Sequence, residues 1–361
     1  MIPIAAPDIG PEEKRGVLDV LDDGQLTDGP VVRAFEEEFA DYCDADHGVA
    51  TVNGTAALHA ALEAVGVGPG DAVVTTPFTF IATANAIRLA GATPVFADID
   101  PDTYNLDPDA VEAVVRERDD VAAILAVHLY GLPARMDHLA DVAEDHDLSL
   151  VEDAAQAHGA EFRGQRVGSF GDAAAFSFYP TKNMTSGEGG MITTDRDDVA
   201  TAAARYVDHG RTDTYEHAAV GHNYRLPSLA AAIGRAQLDR LPSFVDARRE
   251  NARQLRTALS ETAVSAPVEP DYAKHAYHQF TVRTDRRNRL QEHLREHGVG
   301  SRVYYPIPVH HQPAYADVAA DAPEAERAAD EVLSLPVHPG LSEGDVETIA
   351  AAVAAFRRVT Q

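Results

Sequence analysis

Residues 122–153 read AAILAVHLYGLPARMDHLADVAEDHDLSLVED. An apolar run at 122–127 is followed by a helical period over 136–144, then by a second apolar run at 149–151 that ends on Glu152 and Asp153. Short continuous apolar runs are strands buried on both faces, and a strand–helix–strand order lays such strands parallel. The alternation continues outward. Candidate strands occupy 48–52, 72–76, 93–97, 173–178 and 191–194, with helical periods over 56–65, 81–89 and 108–116 between the earlier ones. The pattern predicts an α/β fold, a mainly parallel sheet sandwiched by helices.

Beyond residue 197 the spacing predicts helices over 198–207 and 226–241 around a polar loop, 209–223. An arginine-rich helix over 242–259 then bridges to a small α+β domain. Its expected elements are a strand at 277–282 and helices over 287–297, 323–333 and 344–359. The predicted domains are therefore 1–241 and 242–361.

The 361 residues suffice for such a two-part core. Acids number 58 against 30 bases, a formal net charge of -28, which repels nucleic acid and anionic membrane surfaces. No apolar stretch approaches the ~18 residues of a membrane span, and residues 1–10 lack a secretory pattern, so the expected location is cytoplasmic. One cysteine, Cys43, excludes an internal disulfide and a thiolate cluster. Lysine occurs only at Lys14, Lys182 and Lys274. A dispersed acidic surface almost free of lysine reads as halophilic, since molar salt screens its self-repulsion.

Four clusters sit at expected strand ends. Asn53-Gly54-Thr55-Ala56 follows a strand and opens a helix, which suits either a phosphate or a plain N-cap. Glu152-Asp153-Ala154-Ala155-Gln156 places a carboxylate at the crevice end of a parallel strand. Ser177-Phe178-Tyr179-Pro180-Thr181-Lys182 breaks a strand at Pro180 and then presents a lysine in a chain that otherwise uses arginine. Lysine, unlike arginine, can lose its proton and condense with an aldehyde. Gly221-His222-Asn223-Tyr224-Arg225 is a polar loop that says little alone. Together they supply what pyridoxal 5'-phosphate (PLP) needs: a phosphate cup, a lysine, an acid for the ring nitrogen and, at Phe80, a face for stacking.

These motifs, with Leu26-Thr27-Asp28-Gly29-Pro30, Thr79-Phe80-Ile81-Ala82-Thr83, Val127-His128-Leu129-Tyr130-Gly131 and Tyr305-Pro306-Ile307-Pro308, resemble the DegT/DnrJ/StrS family of sugar aminotransferases, of PLP fold type I. The resemblance implies that Lys182 forms the Schiff base and moves protons, and that Asp153 pairs with the ring nitrogen. It implies that Gln156 reaches the ring, Phe80 stacks on it, and Gly54, Thr55, Ala56 and Ser177 hold the phosphate. Asn223 would reach the phosphate of the neighbouring subunit, which implies a homodimer with shared sites. Tyr305 and His310 would meet the substrate. The position before the Tyr-Pro pair, usually histidine in the family, is Tyr304. The implied reaction moves an amino group, with glutamate as donor, to a nucleotide-linked keto-sugar, at C3 rather than C4. A keto-inositol or other small ketone is the alternative acceptor, and a non-catalytic PLP-binding regulator the alternative role.

The pattern His293-Leu294-Arg295-Glu296-His297 matches a short zinc motif, but Leu290, Leu294 and Val299 read as the buried stripe of that helix and no partner motif follows. No metal is expected. Cys43 reads as inert and buried.

Overall fold

A computed structural model of the chain describes residues 1–260 and 262–356. Its centre is a seven-stranded sheet: β1 (His47–Thr51), β2 (Ala72–Thr75), β3 (Thr93–Phe96), β4 (Val121–Val127), β5 (Ser149–Asp153), β6 (Ala173–Ser177) and β7 (Gly190–Thr194). The spatial order is β1-β7-β6-β5-β4-β2-β3. β2, β3, β4, β5 and β6 pair in parallel, whereas β7 runs antiparallel to both β6 and β1. The α/β architecture is as expected, with β7 the one reversed strand.

Both faces are covered. The helices Gly54–Ala64 and Asp197–Val207 bury Leu58, Leu62, Val199 and Ala203 against Val73, Val151 and Ile192. On the opposite face Phe35 and Phe39 of Pro30–Tyr42 pack on Phe176 and Phe178, and Leu139 of Met136–Asp145 meets Ile124 and Leu150. Strands buried on both sides are why their sequences are unbroken apolar runs rather than alternating ones.

Two elements correct the sequence reading. The helices expected over 226–241 and 242–259 are one helix, Ser228–Leu259, with Pro242 inside it. An interior proline costs about 3 kcal/mol. That cost is offset because the residues on either side are committed to separate cores: Leu238, Leu241 and Val245 to the one around Phe176, and Ala252, Leu255 and Leu259 to the one around Phe280. The helix expected over 323–333 stops at Glu331, and Val332–Leu335 forms a strand paired antiparallel with Phe280–Arg283. The strand expected at 277–282 thus begins later, at Phe280.

The last helix runs Glu343–Ala355, and the end of the helix expected to reach residue 359 lies outside the described residues. The loop at 209–223 carries a short hairpin, Arg211–Asp213 with Glu216–His217. Ile2 bridges Val299, so the start of the chain packs on the core around Phe280. No described helix is long and apolar enough to cross a membrane.

Candidate active site

The carboxyl ends of β1, β5 and β6 open on one cavity of about 540 Å³, together with the segment that follows β2. This is the crevice where an open parallel sheet binds its ligands. Each strand end delivers a short polar segment there because apolar side chains end with the strand and the chain must turn.

After β1, Asn53 caps the helix Gly54–Ala64, its side-chain oxygen accepting from Ala56 N at 2.9 Å. The Ala56 amide is thereby spent on the cap. The first-turn amides of Gly54 and Thr55 have no intrahelical acceptor, and both residues line the cavity at the positive end of the helix. A Cβ at Gly54 would lie 2.6 Å from Ser177 Cβ, so only glycine lets this helix start meet the end of β6.

At the end of β5, successive side chains point to opposite faces. Asp153 faces the cavity. Its Oδ2 accepts from the Thr83 hydroxyl at 2.7 Å and its Oδ1 from Ala155 N at 3.2 Å. Burial pushes the carboxyl above its ordinary range, against the Thr83 and Ala155 bonds and the Lys182 charge. Glu152 faces away, fully buried. It accepts from His128 Nε2 at 3.0 Å and from the amides of Gly168, Phe170 and Gly171 at 3.0, 2.9 and 3.1 Å. Burial pushes Glu152 up, but these bonds outweigh it and hold the carboxyl below its ordinary value.

Past Pro180, Lys182 N donates to Tyr179 O at 2.9 Å, closing a turn that leaves the side chain lining the cavity. Burial lowers its amine to about 8, although Asp153 opposes the shift. Gln156 is held at both ends: its Oε1 accepts from Tyr130 N at 2.8 Å and its Nε2 donates to Tyr305 Oη at 3.1 Å. The Phe80 ring, 55% exposed, lies at the cavity with its centroid 6.0 Å from that of Tyr305.

Gly54, Thr55, Phe80, Asp153, Gln156, Ser177, Lys182 and Tyr305 therefore line one space. Ala56, Asn223 and His310 do not. Asn223 is exposed, its side-chain oxygen accepting from Arg225 Nη2 at 3.0 Å, on a loop tied to β1 by the Thr51–Arg225 bridge. His310 is buried against Phe96, with Nε2 3.2 Å from Glu326 Oε1. The sequence reading assigned no role to Thr83, His278, Gln279 or Arg302, which also line the cavity. Thr83 had a signal, standing one helical turn after Thr79 in a quoted motif. Thr79 and Thr83 hydroxyl oxygens are 2.9 Å apart. His278 and Gln279 had none, since they arrive from the second unit.

The residues fit PLP. Asp153 is a buried carboxyl raised by desolvation, which a buried cation such as a protonated ring nitrogen would return to its charged form. The Lys182 amine lies in the same cavity. Gly54, Thr55 and Ser177 line that cavity as well, and a helix start with free amides beside a hydroxyl is what a phosphate requires.

Residues 7–354 match the DegT/DnrJ/EryC1/StrS aminotransferase family. The chain is 43% identical over 355 residues to the pleiotropic regulatory protein of Geobacillus stearothermophilus, covering 96% of this chain and 95% of the other. It is 41% identical over 340 residues to the UDP-N-acetyl-3-dehydro-alpha-D-glucosamine 3-aminotransferase of Acidithiobacillus ferrooxidans, covering 94% and 92%. It is 40% identical over 339 residues to the UDP-2-acetamido-2-deoxy-3-oxo-D-glucuronate aminotransferase of Pseudomonas aeruginosa, covering 94% of each. Among solved structures, DesV of S. venezuelae superposes with a TM-score of 0.93 at 40% identity, covering 95% of this chain and 94% of that one. The PLP-form of Spr1654 from Streptococcus pneumoniae superposes at 0.92 with 27% identity, covering 98% of each.

Proposed function

The chain belongs to the DegT/DnrJ/EryC1/StrS aminotransferase family and is by that membership a PLP-dependent aminotransferase, and on this premise we propose that it transfers an amino group from glutamate to a nucleotide-linked keto-sugar, at C3. The observation that carries the reading is the placement of Lys182 and Asp153 in one cavity beside a glycine-opened helix start.

Bound there, PLP supplies an electron-poor ring that takes up the electron pair left when the amino-bearing carbon loses its proton. The chain's residues do the rest. An amine lowered to about 8 is neutral in about a tenth of molecules at pH 7, orders of magnitude more than an ordinary lysine. Lys182 can therefore act as nucleophile and afterwards carry protons across the site. Asp153, fixed by Thr83 and Ala155, holds a proton on the ring nitrogen. Gln156, fixed by Tyr130 and Tyr305, and the Phe80 ring would hold the cofactor ring between them and the strand ends. Gly54, Thr55 and Ser177 hold the phosphate.

The choice of C3 is supported by two relatives, 41% and 40% identical, whose names specify 3-dehydro or 3-oxo sugars, and by the similarity of Tyr305-Pro306-Ile307-Pro308 to the same group. The shared-site homodimer is supported by Asn223, which lies outside its own chain's cavity on a loop with Tyr215 94% and Val220 89% exposed. The relative named a regulatory protein does not alter the reading, because Lys182 and Asp153 line one cavity of this chain. Offering the aminated enzyme 3-keto and 4-keto nucleotide sugars separately tests it. Faster return of the lysine-bound cofactor's visible absorbance is expected with the 3-keto sugar. Faster return with the 4-keto sugar overturns C3, and return with neither overturns the substrate class.

A further inference from the structure

Arg302 lines the cavity beside Tyr304 and Tyr305. Its backbone is fixed, because Arg302 N donates to Ser334 O at 3.1 Å and Ser334 N donates back to Arg302 O at 2.8 Å. Its guanidinium carbon lies 5.8 Å from the Tyr304 ring centroid. Among the described residues no carboxylate oxygen stands within 4.0 Å of its nitrogens.

Most described arginines of this chain have such a partner. Arg235, Arg240, Arg249 and Arg283 each hold a carboxylate, and acids outnumber bases 58 to 30. Lys182 is the one other lysine or arginine lining the cavity among the described residues, and its amine is committed to the cofactor. A guanidinium presents planar donors in a fork that matches the oxygens of a carboxylate or a phosphate. A net charge of -28 repels such groups at long range. An arginine at the cavity, facing the same space as Asp153 and Glu188, offers a positive group where a substrate must enter.

We propose that Arg302 is the anion receptor of this active site, binding carboxylate or phosphate oxygens of the incoming substrate. The inference deepens the function proposed above and rests on it for the identity of the acceptor. Under that reading both substrates carry the required chemistry: glutamate has two carboxylates and a nucleotide-linked sugar has its phosphates.

The test uses the holoenzyme and its Arg302→Gln and Arg302→Lys variants, with melting temperature and bound-cofactor absorbance checked first. Each half-reaction is followed separately, with glutamate and with the 3-keto nucleotide sugar, and inorganic phosphate is titrated as a competitor. Loss of a charge-assisted bond weakens apparent affinity roughly tenfold to a hundredfold. The expected result is such a weakening for Arg302→Gln in at least one half-reaction, with limiting rates nearly unchanged, a smaller loss for Arg302→Lys, and loss of phosphate competition. The half-reaction that weakens identifies the source of the anion. Affinities within about threefold of wild type in both half-reactions would overturn the proposal, since a lost charge-assisted contact exceeds that. If Arg302→Gln does not fold, Arg302→Lys and the phosphate titration decide. If no nucleotide sugar is accepted at all, the function proposed above fails, while the glutamate and phosphate arms still judge Arg302.

Discussion

The Thr83 hydroxyl donates its one proton to Asp153 Oδ2 at 2.7 Å, so the Thr79 hydroxyl, 2.9 Å from Thr83 Oγ1, must be the donor in that second contact. Two threonines one turn apart thus form a directed chain that ends on the carboxylate assigned to the ring nitrogen. Thr83 positions Asp153 and stabilises its charged form against burial.

Thr83→Val keeps the shape and removes the donor. A hydrogen bond to a charged group is worth about 1.5–3 kcal/mol, so the glutamate half-reaction should slow roughly tenfold or more. The Asp153 carboxyl, already raised, should rise further, moving the acid limb of the pH–rate profile to higher pH. Thr83→Ser should restore both. An unchanged acid limb in Thr83→Val would remove the positioning role.

Glu152 and Asp153 are neighbours with different work, and a stability measurement separates them. Glu152 holds the turn at Gly168–Gly171 and the His128 ring, with no exposure to solvent. Glu152→Gln leaves an amide N–H₂ facing backbone donors and should cost about 3–5 kcal/mol. Because its folded pKa is depressed, the carboxylate's contribution is fully present above its ordinary value of 4.5 and fades as pH falls through the folded value. Wild type should therefore lose stability on acidification more steeply than Glu152→Gln. Parallel pH curves in denaturant melts would contradict this.

Much of this was legible in the sequence, for identifiable reasons. β4 and β5 read directly because strands covered on both faces are continuous apolar runs. The reversed direction of β7 did not, since Met191-Ile192-Thr193-Thr194 looks the same whichever way it runs. Local propensity divides the helix Ser228–Leu259 at Pro242 because it cannot weigh the two cores that hold the residues on either side helical. Val332–Leu335 was absorbed into a helix because its partner strand, Phe280–Arg283, lies some fifty residues away. Lys182 stood out by the scarcity of lysine. Arg302 did not, because arginine is this chain's ordinary base and only its place at the cavity, without a carboxylate, distinguishes it. The resemblance places His310 at the substrate; its ring Nε2 lies 3.2 Å from Glu326 Oε1, outside the residues that line the cavity.

The surface charge carries its own prediction. With a net charge of -28, self-repulsion should weaken the folded state at low ionic strength, where the Debye length reaches about 30 Å at 0.01 M. The melting temperature should rise steadily from low to molar potassium chloride. A flat profile would remove the halophilic reading without touching the active site.

Lys182 is assigned the cofactor, and the chain offers three lysines with which to check it. Lys274 is paired with Glu161 at 2.7 Å, and Lys14 sits on the exposed side of the helix Pro11–Asp23. Borohydride reduction of the PLP-loaded protein, followed by peptide mass mapping, reads the attachment directly. The expected result is one phosphopyridoxyl group per chain on the peptide containing Lys182, lost in Lys182→Ala. Label on Lys14 or Lys274 instead, or no specific label, would contradict the account.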